Sequence, residues 1–174
     1  MRSIPEPTLL AIDPGTKEMG VAIFQGDNLE YYGVKTINRN RDAAARLKAG
    51  LSAIKNLVER FHPSVLVMEK SFFAQSKRSS ILNVLTDEIQ RYAFNLKIRI
   101  CGYAPTAVKK ITCGSGKATK AEVAKTVASL YPELARHLGY REEWKRKYWH
   151  NMFDAVAIGI AFQKQERTLS SLAT

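Results

Sequence analysis

Val65-Leu66-Val67-Met68 is a run of four apolar residues closed by Glu69, and it lies between two stretches of helical periodicity. A run that short, apolar at every position, reads as a strand buried on both faces, so the sheet that contains it must carry helices above and below. Before it, Asp42 to Phe61 spaces Ala45, Leu47, Leu51, Ile54, Leu57 and Val58 as one helical stripe, and His62-Pro63-Ser64 ends the segment. After it, Ser80 to Leu96 predicts a second helix and Ile98 to Tyr103 a further strand. Pro105 then opens a short helix carrying Val108, Lys109 and Lys110.

Upstream, Thr8 to Ile12 is an apolar run stopped by the turn Asp13-Pro14-Gly15, Gly20 to Phe24 is a second, and Leu29 to Ile37 a third after Gln25-Gly26-Asp27-Asn28. Short turns between such runs predict an antiparallel meander. The whole pattern is α/β: a five-stranded mixed sheet, with the three-strand meander continued by helix-linked parallel strands and helices on both faces. Thr119 stands three residues before Glu122, a capping-box signature that starts a helix running to about Tyr131. Residues 132–149 are charged and aperiodic and predict a mobile loop, after which Asp154 to Phe162 forms a last helix headed by Asp154. With 174 residues and no internal repeat, the expectation is one domain over 1–174 with a short N-terminal tail, 1–7.

Lys and Arg number 27 against 16 Asp and Glu, a formal charge of +11 that points to a polyanionic partner. Cys101 and Cys113 have neither a second pair nor a His at ligand spacing, which argues against a disulfide framework or a zinc site. No stretch is long and uncharged enough to span a membrane, so a soluble intracellular protein is expected. Gly114-Ser115-Gly116-Lys117 has the look of a nucleotide-binding loop. Ile111 stands where its first glycine should be, Ala118 replaces the Ser or Thr, and no strand precedes it, which excludes that reading. His62 reads as a helix-end residue and His137 as a surface residue. Trp144 and Trp149 either touch nucleic acid or pack the loop.

Asp13 and Glu69 end apolar strands, and Asp154 heads an Ala-rich apolar helix. Carboxylates in such places are tolerated when paired, hydrogen-bonded or bound to metal. If the two strands are neighbours and the last helix packs on them, three hard oxygen donors converge, a set that selects Mg²⁺ or Mn²⁺ over zinc. Singly, Asp13 also suits a tight turn and Asp154 the first turn of a helix.

Ala11-Ile12-Asp13-Pro14-Gly15-Thr16, Met68-Glu69-Lys70-Ser71-Phe72-Phe73, the stretch from Val108 to Lys120, and Asp154-Ala155-Val156-Ala157-Ile158 resemble, in order and spacing, the RuvC family of Holliday-junction resolvases. The resemblance spans Leu9 to Phe162. It implies a ribonuclease H-like fold, a homodimer, and Mg²⁺-dependent symmetrical nicking of four-way DNA junctions that leaves 5′-phosphates. Two ions per site are implied, with Mn²⁺ as a substitute. Asp13, Glu69 and Asp154 match the family's acidic ligands, Lys109 and Lys120 its active-site lysines, and Phe72 the aromatic that stacks at the opened junction.

Where the family carries a fourth acid or a His, three residues before the last Asp, this chain has Asn151; Asn151 or the preceding His150 is the candidate fourth ligand. Phe72 and Phe73, as stacking or core residues, and Lys77, Arg78, Lys110 and Lys117, as phosphate contacts or a solvated face, complete the expected DNA surface. A branch-migration helicase is an expected partner. The expected location is cytoplasmic and nucleoid-associated, or organellar after loss of a targeting segment. Rival readings are a related nuclease on other branched DNA or on RNA, and a basic nucleic-acid-binding module with a degenerate metal site. A sugar-kinase or actin-like ATPase needs two such lobes, for which this chain is too short.

Overall fold

The structure, a computed structural model, describes residues 7–37, 42–70 and 80–172. In chain order the elements are β1 (Thr8–Asp13), β2 (Glu18–Gln25), β3 (Asn28–Thr36), α1 (Ala43–Phe61), β4 (Val65–Glu69), α2 (Ser80–Asn95), β5 (Arg99–Tyr103), α3 (Pro105–Cys113), α4 (Lys120–Leu130), a 3-10 turn (Pro132–His137) and α5 (Glu143–Leu172). The strands form one sheet in the order β3-β2-β1-β4-β5. The meander pairs are antiparallel, and β1–β4 and β4–β5 are parallel.

Strand alternation divides the core in two. Leu10, Ile12, Leu66 and Met68 face one way and pack with Ile54, Leu57, Leu85 and Ile89 of α1 and α2. Leu9, Ala11, Val65 and Val67 face the other way and pack with α3, α4 and α5. Because β1 and β4 run parallel with Ile12 opposite Met68, the next residues, Asp13 and Glu69, end adjacent strands at the same level. By the same alternation both turn toward α5. Residues buried to this degree stabilise the fold by roughly 1.5–3 kcal/mol each, enough to hold two carboxylates where water would otherwise be preferred.

α5 lies flush on that face. A Cβ on Gly20 would stand 1.8 Å from the Asn151 carbonyl oxygen, and one on Gly159 would stand 2.2 Å from Cε2 of Phe24. Gly20 is the partner of Asp13 in the β1–β2 ladder. The close approach therefore sets the Asn151 to Asp154 turn of α5 over the end of β1.

Local chemistry accounts for the helix ends. Asp42 caps α1 by accepting from the Ala45 amide, and His62 closes that helix in the left-handed region at φ 46°. Pro105 occupies the first turn of α3, and the Thr119–Glu122 capping box is formed at α4.

Two expectations need correction. Residues 132–149 are not one loop: Pro132–His137 form the 3-10 turn, Leu134 is fully buried, α5 already begins at Glu143, and only 138–142 lie outside helix. Charges at 141–147 hid that start, because these residues are almost all exposed and carry no apolar stripe. Asp154 consequently stands inside a 30-residue helix rather than at its head, so helix-terminus electrostatics do not explain it. His137 is half-buried rather than a free surface residue; its ring lies 3.7 Å from that of Trp149, centroid to centroid.

Candidate active site

Asp13 and Glu69 come from strand ends, Asp154 from α5, and Lys120 from the first turn of α4, the end where backbone N–H groups and the helix dipole favour anions. Lys120 Nζ donates to Asp154 Oδ2 at 3.2 Å. Burial, then the charges of Asp154 and Glu69, push Asp13 from its ordinary 3.8 up to about 8, with Lys120 pulling the other way. Glu69 is raised too, by burial and Asp154, against the lowering charges of Lys120 and Lys109. Burial tends to lower the Lys120 ammonium, but Asp154, Asp13 and Glu69 together outweigh it and hold its pKa up. The structure thus brings together the three acids and both lysines predicted from sequence, with Lys120 the cation that faces all three acids.

Their convergence is electrostatic rather than a finished cage. Among the described residues, no group of three or more His, Cys, Asp or Glu side chains stands ready at metal-binding spacing. The donor chemistry nevertheless fits a hard divalent cation: the carboxylates crowd one another, and burial with Asp154 and Glu69 leaves Asp13 protonated near neutral pH despite Lys120.

The fourth-ligand candidates diverge. Asn151 Nδ2 donates to Glu18 Oε2 of β2 at 3.3 Å, on the sheet side of α5. His150 lines a cavity beside α4, and burial lowers its pKa. Glu18 escaped sequence reasoning. It is a polar residue at a strand start, and only the strand register and the α5 contact give it meaning. Lys110 and Lys117 are exposed, on α3 and in the α3–α4 connection. Phe72, Phe73, Lys77 and Arg78 lie outside the described residues.

A sequence profile of the family described as "Crossover junction endodeoxyribonuclease RuvC" matches residues 9–138. The chain belongs to the RuvC family. A RuvC of Wigglesworthia glossinidia brevipalpis is 31% identical over 135 residues, covering 75% of this chain and 83% of its own. One from Photobacterium profundum is 29% identical over 169 residues, covering 95% and 91%. Thermus thermophilus RuvC, solved in complex with Holliday junction substrate, matches with a TM-score of 0.76 at 21% identity over 94% of this chain and 96% of that one. A yeast mitochondrial Holliday-junction resolvase gives 0.70 at 17% identity, over 97% and 83%. The RuvC fold is ribonuclease H-like, as the five-stranded mixed sheet and its flanking helices are here.

Proposed function

We propose that this RuvC-family chain is a divalent-metal-dependent, structure-specific endonuclease that resolves four-way DNA junctions by paired symmetrical nicks. The observation that carries the reading is the meeting of Asp13, Glu69 and Asp154 with Lys120 at one end of the sheet. A basic chain supplies the affinity for DNA backbone. One site makes one nick, so two symmetrical cuts call for two copies of the chain related by a twofold axis, a homodimer.

Asp13, Glu69 and Asp154 would hold Mg²⁺, as two ions with Mn²⁺ as substitute, with Asn151 or His150 completing the set. Bound there, the cations supply Lewis acidity for water activation and for charge on the leaving oxygen. Lys120 orients Asp154 and, 62% exposed along its side chain, presents its ammonium to a phosphate. The α4 N-terminus, two of whose amides are already taken by the Thr119–Glu122 capping box, adds partial positive charge toward the same group. Lys109, beside Glu69, offsets negative charge on the α3 side.

The test is an immobile four-way junction, labelled on each strand in turn, with and without Mg²⁺. Paired nicks at symmetry-related positions, with 5′-phosphate ends and only with the cation, are expected. Binding without cleavage when Mg²⁺ is supplied would instead assign a DNA-binding module with a degenerate site. Equal cutting of forks, linear duplex or RNA would move the substrate elsewhere.

A further inference from the structure

A cavity of about 600 Å³ opens between α4, the 3-10 turn and the N-terminal part of α5. Its inner walls are Ala124, Leu138, Trp149 and Phe153, and its rim carries Lys125, Arg141 and Arg146. All three rim cations are exposed, and among the described residues none of their side chains forms a salt bridge or hydrogen bond. Lys125 and Arg146 act electrostatically on the exposed Glu122 and Glu143, and an apolar, aromatic slot under such cations is suited to a planar base joined to a phosphate.

Two ring nitrogens are sealed in residues of the cavity wall. His137 Nδ1 and His150 Nδ1, both on lining residues, have no hydrogen-bond partner among the described residues. His137 Nε2 accepts from Arg136 Nε at 3.2 Å, so a neutral ring carries its proton on Nδ1 and the orphan there is a donor. Both nitrogens are sealed from solvent, so a ligand in the open cavity does not reach them as they stand, and the match rests on the aromatic lining and the rim cations.

The cavity also adjoins the carboxylate cluster. Ala121 on its lining follows Lys120, Phe153 precedes Asp154, and His150 lies within electrostatic reach of both Asp154 and Lys120. A phosphate held at Lys120 therefore lies one residue along α4 from the opening.

We propose that this cavity is a nucleotide subsite that takes one base unstacked from the bound DNA strand, within a few nucleotides of the scissile phosphate, with Arg141 and Arg146 on its phosphate. The inference deepens the proposed function and rests on it for the identity of the strand. It makes the cavity a determinant of where the strand is cut.

The experiment replaces each nucleotide within three of the cut, one at a time, by an abasic residue, and measures junction affinity and single-turnover cleavage for wild type and Ala121→Trp. Ala121 is exposed at the mouth of the cavity, so the indole fills it from outside. In wild type, one abasic position is expected to weaken binding about tenfold, the size of one base–aromatic stack, while the others do little. Ala121→Trp should bind about as weakly as that abasic complex and lose sensitivity at that position alone.

Arg146→Glu, which adds no bulk near Lys120, should reduce the same sensitivity. A flat abasic profile in wild type, or an unchanged profile in both variants, overturns the proposal. Deoxynucleoside monophosphate that raises the Tm of wild type but not of Ala121→Trp, alongside a flat profile, would assign the cavity to a free nucleotide instead. Affinity is read without cleavage, so an inactive enzyme that keeps the single-position profile would sink the nuclease reading and leave the subsite standing.

Discussion

Lys120 Nζ and Asp154 Oδ2 stand 3.2 Å apart, joining the first turn of α4 to the middle of α5. The lysine is 62% exposed and the aspartate 23%, so solvent screens the pair and its contribution to stability is small, under about 1 kcal/mol. Its larger consequence is positional, because the same ammonium faces Asp13 and Glu69.

Lys120→Met should therefore leave the Tm nearly unchanged while cutting junction cleavage by about 10²-fold, the usual loss when one group that stabilises developing charge is removed. Single-turnover cleavage and thermal melts of the same preparation check this. A variant that loses many degrees of Tm and activity together would make Lys120 structural.

Asp13 contributes one pH dependence to the stability of the metal-free protein. Its folded pKa is raised to about 8 against an ordinary 3.8, mainly by burial and then by Asp154 and Glu69. Between those values the folded chain retains a proton that the unfolded chain has lost. Stability therefore falls as pH rises through that window, and the Asp13 contribution is fully present only below it. Melts in chelator should show a decline from about pH 4 to about pH 8 that flattens in Asp13→Asn. Added Mg²⁺ should release a proton on binding near pH 7, measurable as a buffer-dependent heat. No difference between Asp13→Asn and wild type across the window would remove Asp13 from the buried cluster.

The sheet was legible from sequence because its signals are local and periodic: Val65 to Met68 is apolar throughout, and Asp13-Pro14-Gly15 punctuates β1. Asp13 and Glu69 were legible as misfits, since acids at the ends of buried strands have few bland explanations. Asp154 was found for a partly wrong reason. The apolar run from Ala155 marks where α5 meets the sheet, not where the helix starts, and nothing in the charged stretch from Arg141 to Lys147 shows a helix extending past its core contact. Glu18 was invisible because its role depends on β2 lying under Asn151, a contact between residues 133 apart in sequence. The cavity near Trp149 was hidden for the same reason, being assembled from α4, the 3-10 turn and α5.

Asn151 offers a direct test of the fourth ligand. Its amide nitrogen donates to Glu18 Oε2 at 3.3 Å, and Asn151→Asp replaces that donor with a second carboxylate. Without metal the two acids repel, so the chelated variant should melt lower than wild type. With Mg²⁺ the added ligand should lower the concentration needed for half-maximal cleavage. A Tm deficit that Mg²⁺ leaves untouched, with unchanged metal dependence, would favour His150 or water in that position.

Gly20 ties the fold to the chemistry. It pairs with Asp13 across β1 and β2, and a Cβ there would meet the Asn151 carbonyl oxygen at 1.8 Å. Backbone on both sides leaves no flexible side chain to yield, so Gly20→Ala must lift α5 from the sheet. The strain should cost about 1–3 kcal/mol, the common range for overpacking. Lifting α5 also moves Asp154 away from Asp13, and rates fall steeply with such displacements. Cleavage should therefore drop by more than the folded fraction does, at a temperature where the variant is still fully folded by circular dichroism. Gly159→Ala, which meets only the Phe24 ring, gives the comparison: similar destabilisation with a smaller loss of rate. Equal rate losses in the two variants would mean that the register of α5 over β2 does not position the site.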